Sequence, residues 1–241
     1  MKLKSTLLAL GMMLPASVFA TDYYIRTAAN GTGDGSSWDN AMAFETFYTN
    51  FQDDTKYADG DACYFAGGTY VVPAVSVKTQ KAKGFTFKGG YSEALTGTEL
   101  PDVDYSAYRT IISGDSNGDG IQNGGDARCL FALQANTAST TTPQKPILIQ
   151  GIDFCYVYTS EPTSDNSNRK GALCIENCGD VMIKNCRFYN NEIASEGSAI
   201  GGAALLSYRA TVHLVDCEFT NNKAKSRGAA IRVASNAGNK G

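Results

Sequence analysis

The 241-residue chain has a single histidine, His213. One imidazole cannot build a histidine-rich metal centre, and no Ser-His-Asp arrangement can be traced around it. Excess charge is also scarce: 21 Lys and Arg face 24 Asp and Glu, a formal charge of -3. That balance lacks the basic footprint of a nucleic-acid binder. No glycine-rich phosphate cradle runs into a helix carrying a lysine, which disfavours nucleotide chemistry. Beyond the first twenty residues no long apolar run occurs, so no transmembrane helix is expected. What is present is 43% hydrophobic residues, 25 Gly, 13 Tyr and 11 Phe. This is enough to bury a substantial core and too apolar for a disordered chain.

Residues 1–20 read as a secretory signal, with Lys2 and Lys4 at the charged start, Leu7 to Leu14 as the apolar centre, and Val18-Phe19-Ala20 as a small-x-small cleavage site. The mature chain is expected to begin at Thr21. Loss of the two lysines takes the formal charge to about -5, a mildly acidic surface. No cysteine adjoins the cleavage site, which removes the simplest lipid anchor. All seven cysteines (63, 129, 155, 174, 178, 186 and 217) lie in the exported part, where disulfides are permitted. Cys174, Cys178 and Cys186 lack the paired close spacing and nearby histidine of structural zinc sites.

A repeat occupies the second half. Ile147 to Phe154, Val181 to Phe188 and Val212 to Phe219 align on their aromatic residues, and the last two keep one constant offset throughout. Phe188 is followed by Tyr189-Asn190-Asn191 and Phe219 by Thr220-Asn221-Asn222, so the period continues into the turn. Small-residue bends precede further short strands at Gly171-Ala172-Leu173, Gly202-Ala203-Ala204 and Gly228-Ala229-Ala230. Too few residues intervene for crossover helices, so the chain must coil.

Within each strand Val181 and Ile183, like Val212 and Leu214, fall on the core face, with Met182 and His213 opposite. Stacked strands about 4.8 Å apart place Cys186 over Cys217, Phe188 over Phe219, and the opposite charges of Arg187 and Glu218 side by side. The two cysteines could bond; their core position favours reduced thiols. The turn asparagines 190, 191, 221 and 222 suit corners, either satisfying backbone groups or adopting left-handed conformations.

These segments resemble the right-handed parallel β-helix family, and specifically exported bacterial proteins with repeats similar to those of chlamydial polymorphic outer-membrane proteins. The signatures of that family are Gly-Gly-Ala-Ile and Phe-x-x-Asn. Gly201-Gly202-Ala203-Ala204 and Gly228-Ala229-Ala230-Ile231 resemble the first; Phe188 with Asn191 and Phe219 with Asn222 match the second. Residues 23–41, 85–91 and 110–115 look like the beginning of such a fold. The resemblance implies an all-β, pectin-lyase-like solenoid with a short N-terminal cap around Phe44 to Phe51. It divides the chain into a signal at 1–20, a cap and opening strands at 21–70, and a parallel β-helix at 71–241. Ala234 to Gly241 do not complete the last coil, so further C-terminal sequence is expected.

One loop carries metal-like chemistry. Asp115, Asn117, Asp119 and Asp126 place oxygen side chains at positions 1, 3, 5 and 12, with Gly120 at position 6 and the backbone oxygen of Ile121 at position 7. This spacing resembles calcium loops of the dockerin and thrombospondin type, although Asp126 replaces the usual glutamate and no helices flank it. The same Gly-Asp-Asn run also suits an ordinary exposed turn.

Catalytic constellations are weaker. Lys184, Arg187, Glu218 and His213 form a patch that a lyase would use, or simply a charged solvent face. Asp153, Glu161, Asp165, Glu176, Asp180 and Asp216 supply hydrolase carboxylates without an evident meeting point. Tyr156, Tyr158 and Tyr189 leave room for glycan stacking, with Tyr158 the stronger candidate and Tyr189 a turn residue. The expectation is an exported cell-surface, outer-membrane or extracellular β-helix serving adhesion, display or carbohydrate binding. A polysaccharide lyase or glycoside hydrolase is the competing class.

Overall fold

The computed structural model describes residues 20–51, 53, 55–73, 79–81, 83–134, 146–160, 170–195, 201–225 and 227–234. Most of the expected signal, the carboxylates Glu161 and Asp165, and residues 235–241 lie outside the described residues.

The chain is all-β with one short helix, and every strand pairing among the described residues is parallel. Its second half visits four sheets in a fixed order. Ile147–Gln150 lies in the first sheet, Ile152–Cys155 in the second, Tyr158–Thr159 in the third and Gly171–Glu176 in the fourth. Asp180–Lys184, Arg187–Tyr189, Glu192–Ile193 and Leu205–Tyr208 repeat the order, and Thr211–Val215, Glu218–Thr220, Lys223–Ala224 and Ile231–Ala234 repeat it again. This is the strand order expected of a parallel β-helix.

The register follows the aligned repeat. Val181 pairs with Val212, Phe188 with Phe219 and Glu192 with Lys223, all at the same offset. Period-2 alternation then sends the middle side chain of successive second-sheet strands to one inner column. Phe154, Phe188 and Phe219 stack there with centroids 5.1 and 5.0 Å apart and interplanar angles of 18° and 3°. The Cys186 thiol is within reach of the carbonyls of Lys184 and Ile149, and that of Cys217 contacts those of Val215 and Ile183, so these sulfurs are hydrogen-bonded thiols rather than a disulfide.

The corners depend on the backbone conformation of particular residues. Gly151, Asn185 and Asp216 occupy one stacked corner with φ of 67°, 52° and 52°; Tyr156, Asn190 and Asn221 occupy another with 57°, 54° and 53°. Asparagine tolerates the left-handed region better than most residues, so both roles assigned to the turn asparagines occur together. Asn190 and Asn221 turn the chain, while their neighbours satisfy it. Fully buried Asn191 donates from Nδ2 to Phe154 O at 3.1 Å and to Asn222 Oδ1 at 2.9 Å, and its Oδ1 accepts from the Val157 amide at 3.2 Å. Asn222 repeats the contact one circuit later, donating to Phe188 O at 2.8 Å.

The alternation fails at one expected core position. Leu214 is 38% exposed because Thr211–Val215 is the edge strand of the first sheet among the described residues, with nothing paired beyond it.

At the opposite end the helix Phe44–Asn50 lies against the core. Its residues Phe44 and Phe47, with Phe51 just beyond, contact Tyr70, Phe65, Phe87 and Phe131, and the Tyr48 hydroxyl donates to Leu130 O at 2.8 Å. Burying each such aromatic ring contributes roughly 1.5–3 kcal/mol. A second aromatic group, Tyr24, Trp38 and Tyr91, forms a cluster separate from the main core, with Tyr24 and Tyr91 on strands of the first sheet, and the Trp38 indole donates to Glu99 O at 2.8 Å.

Candidate ligand-binding face

With Tyr70, Ile112, Phe154, Phe188 and Phe219 directed inward, alternation turns the intervening residues of the second sheet outward. One outward row runs through Thr69, Ile111, Asp153, Arg187 and Glu218, residues that face one another across successive strands. A neighbouring row contains Tyr189 and Thr220.

Asp153 is the centre of this face. Its side chain is only 4% exposed, whereas the Arg109 and Arg187 side chains that meet it are 33% and 38% exposed. Arg109 Nε donates to Oδ2 at 2.9 Å and its terminal nitrogen also contacts that oxygen. Arg187 donates from Nε to Oδ1 at 3.1 Å and from Nη2 to Oδ2 at 2.8 Å, a two-point grip. Hydrogen bonding to Asp153 holds the Arg187 guanidinium above its ordinary pKa. A carboxylate gripped from both sides is satisfied and immobile, so burial is tolerated.

Each arginine also borders a depression. Arg109 lines one of about 490 Å³ with Gly68, Ser92, Glu93 and Tyr108. Arg187 lines another of about 270 Å³ with Tyr189, Asn190, Glu218, Thr220 and Asn221. The Arg187 guanidinium stands 5.8 Å from the Tyr189 ring centroid. That separation is within the range of cation–π attraction. Tyr156 meets Tyr189 edge-on at 6.3 Å. The smaller depression therefore joins an aromatic ring, a cation, a carboxylate, a hydroxyl and side-chain amides.

This geometry redistributes the residues singled out in the sequence. Arg187 and Glu218 face one another as expected, but the Arg187 ion pair runs to Asp153 on the other side. Lys184 and His213 belong to first-sheet strands, so the four-residue lyase patch is divided between two sheets. Tyr158 lies in the third sheet, while Tyr189 ends a second-sheet strand and lines the depression. Of the hydrolase candidates, Asp153 is gripped by arginines and Glu176 is buried in the fourth sheet, while Asp180 begins one first-sheet strand and Asp216 just follows another. Sequence reasoning passes over Arg109. Only its place just before the strand that pairs with Ile152–Cys155 brings it to Asp153.

The loop with Asp115, Asn117, Asp119, Ile121 and Asp126 lies between Thr110–Ser113 and Cys129–Gln134. It touches the same face, since Gln122 Nε2 donates to Asn190 O at 2.7 Å. Asp115 accepts from the amides of Asp119 and Gly120 at 3.1 and 3.0 Å, and Asp119 accepts from that of Ile121 at 2.8 Å. Burial raises the Asp126 carboxyl pKa, and the negative Asp115 and Asp119 add to the effect. Among the described residues no group of three or more His, Cys, Asp and Glu stands in metal-binding geometry.

The arrangement defines an all-β protein of parallel sheets whose repeating element is a stacked phenylalanine followed by a corner asparagine. Residues 216–234, which span Phe219, Asn222 and Gly228-Ala229-Ala230-Ile231, match the Chlamydia polymorphic membrane protein repeat. The match points to a surface-exposed or outer-membrane bacterial protein. No curated protein and no solved structure matches the chain. Among the described residues no helix is long and apolar enough to cross a membrane.

Proposed function

We propose that this protein is a right-handed parallel β-helix, exported to the bacterial surface, that binds an extracellular polysaccharide along the outward face of its second sheet. The observation that carries this reading is the Arg109–Asp153–Arg187 clamp, which links two depressions that border the second sheet. Five strands at about 4.8 Å spacing give a strip of roughly 19 Å, long enough for several sugar rings. Tyr189 offers a stacking surface, and the flanking polar side chains offer donors and acceptors for hydroxyl groups. Both Asp153 oxygens already accept guanidinium hydrogen bonds, which suits recognition better than acid–base turnover.

The test is binding of the mature protein to a panel of neutral and acidic polysaccharides, with Tyr189→Ala, Arg187→Ala and Tyr158→Ala beside it. The expected result is at least a tenfold loss for the first two, about 1.4 kcal/mol, and little change for the third. Equal binding by all four proteins would refute the assignment of the face. Release of new reducing or unsaturated ends would replace recognition with polysaccharide hydrolysis or elimination.

A further inference from the structure

The 115–126 loop contains a buried oxygen without a donor. Asp126 is 2% exposed; its Oδ2 accepts from the Asn123 amide at 2.9 Å, but its Oδ1 has no hydrogen-bond partner. An unmet carboxylate oxygen inside a protein is costly and calls for a proton, a water or a cation. Asp115 and Asp119 lie close enough to Asp126 to repel its charge, and the Ser116 amide, which faces the carboxylate, makes no hydrogen bond to Oδ1. Among the described residues no lysine or arginine forms an ion pair with any of these three aspartates. Three carboxyl groups therefore share one loop without a neutralising side chain among the described residues.

The remaining donors are of the hard-oxygen type. Asn117 Oδ1 and one Asp115 oxygen both face the Asp119 amide, at 3.1 Å each, which brings positions 1 and 3 of the loop together. Gly120, at position 6, has φ of 68°. That is the sharp left-handed turn such a loop needs there. Ile121 at position 7 is 62% exposed, so its side chain adds little packing and its backbone carbonyl is its available contribution. Asp119 Oδ2 presently accepts from the side-chain amides of Asn117 and Asn123 at 3.0 and 2.6 Å. Those two amides must turn aside for the carboxylates to converge, which explains why the present side-chain positions do not form a metal cluster.

We infer that this loop is a calcium site formed by Asp115, Asn117, Asp119, the Ile121 carbonyl and Asp126. Because Asp126 Oδ2 is held by the Asn123 amide, Asp126 binds through Oδ1 alone, and each of the five residues supplies one oxygen, with water completing the shell. Few protein ligands and an exposed loop place the dissociation constant in the range of extracellular modules, about 10⁻⁴–10⁻³ M. Magnesium, which demands near-ideal octahedral geometry, binds more weakly. The site does not rest on the saccharide reading, although Gln122 joins the loop to Asn190 at the border of that face.

The experiment is calorimetric titration of the chelator-treated mature protein with calcium chloride, repeated with magnesium chloride and with Asp119→Asn and Asp126→Asn. The expected result is one calcium per chain and at least tenfold weaker binding for each variant. At ten times the dissociation constant, calcium should raise the folded-to-unfolded ratio about elevenfold in a thermal melt. Asp126→Asn should melt no lower than the parent in the absence of calcium, because it removes a buried charge. That separates lost ligation from lost folding. No heat at about 5 mM calcium, several times the weakest dissociation constant of that range, overturns the site. So does calcium binding that survives both substitutions.

Discussion

Replacing Asn191 by alanine isolates the chemistry of the Phe-x-x-Asn signature. The side chain is fully buried and makes three hydrogen bonds that tie together two consecutive circuits and the next asparagine. Alanine cannot replace them. The Val157 amide loses the acceptor it has in Asn191, and the Phe154 carbonyl loses one donor, both in a place water does not reach. Leaving a buried polar group unmet costs about 1–3 kcal/mol, so two such groups give an expected destabilisation of about 3 kcal/mol. Asn222→Ala is the control. It removes the same contact to Phe188 O one circuit later, together with the Oδ1 that accepts from the Asn191 amide and Nδ2, but the side chain is half-exposed and water can substitute, so about 1 kcal/mol is expected. Urea titration followed by far-ultraviolet circular dichroism measures both, with a lower midpoint and an unchanged slope as the signature of lost stability. Hydrogen exchange at the Val157 amide locates the effect: protection there should fall in Asn191→Ala before it falls in the Phe188 strand. A loss below about 0.5 kcal/mol for Asn191→Ala, less than even one unmet buried group should cost, would refute the view that corner asparagines stabilise the stack by satisfying buried backbone. Equal losses for the two variants would refute it as well.

Three further outcomes follow from the same packing. Burial raises the Cys186 thiol pKa to about 12, so in the native protein it should resist alkylating reagents at pH 8 while the urea-unfolded chain reacts. Since the folded pKa lies above the unfolded one, this thiol's contribution is intact below about pH 8.5 and declines as pH rises toward about 12; Cys186→Ala should flatten the alkaline limb of a stability–pH curve. Gly171 has φ of 101°, and a Cβ there would lie 2.2 Å from Gly202 O on the neighbouring circuit. Gly171→Ala should therefore lower stability by about 1–3 kcal/mol in a denaturant titration, and a neutral effect would mean that the small-residue bend is not a steric requirement.

The repeat was legible because identical environments recur at fixed spacing. Phe188 and Phe219, Cys186 and Cys217, and Asn191 and Asn222 are pairs of one residue type at one offset, and each pair occupies equivalent places in neighbouring circuits. Residue pairing across parallel strands preserves side-chain direction, so alternation read from one strand transfers to the next. The candidate face was less legible. The sequence separation from Asp153 to Arg187 differs from that between Arg109 and Asp153, because the connecting segments differ in length. Tyr189, placed in a turn by its neighbours Asn190 and Asn191, is the last residue of its strand and projects beside Arg187.

Sequence alone determined the strand period, the inward columns of phenylalanine and cysteine, the asparagine corners and the hard-oxygen character of the 115–126 loop, because each depends on contacts within one short segment or on a close repeat of it. Tertiary structure alone decided that Asp153 is shared by Arg109 and Arg187, that Lys184 and His213 are parted from Arg187 and Glu218, and that Gln122 brings the acidic loop against Asn190. Those neighbours come from different circuits, and only the pairing of strands across connections of unequal length fixes which side chains meet.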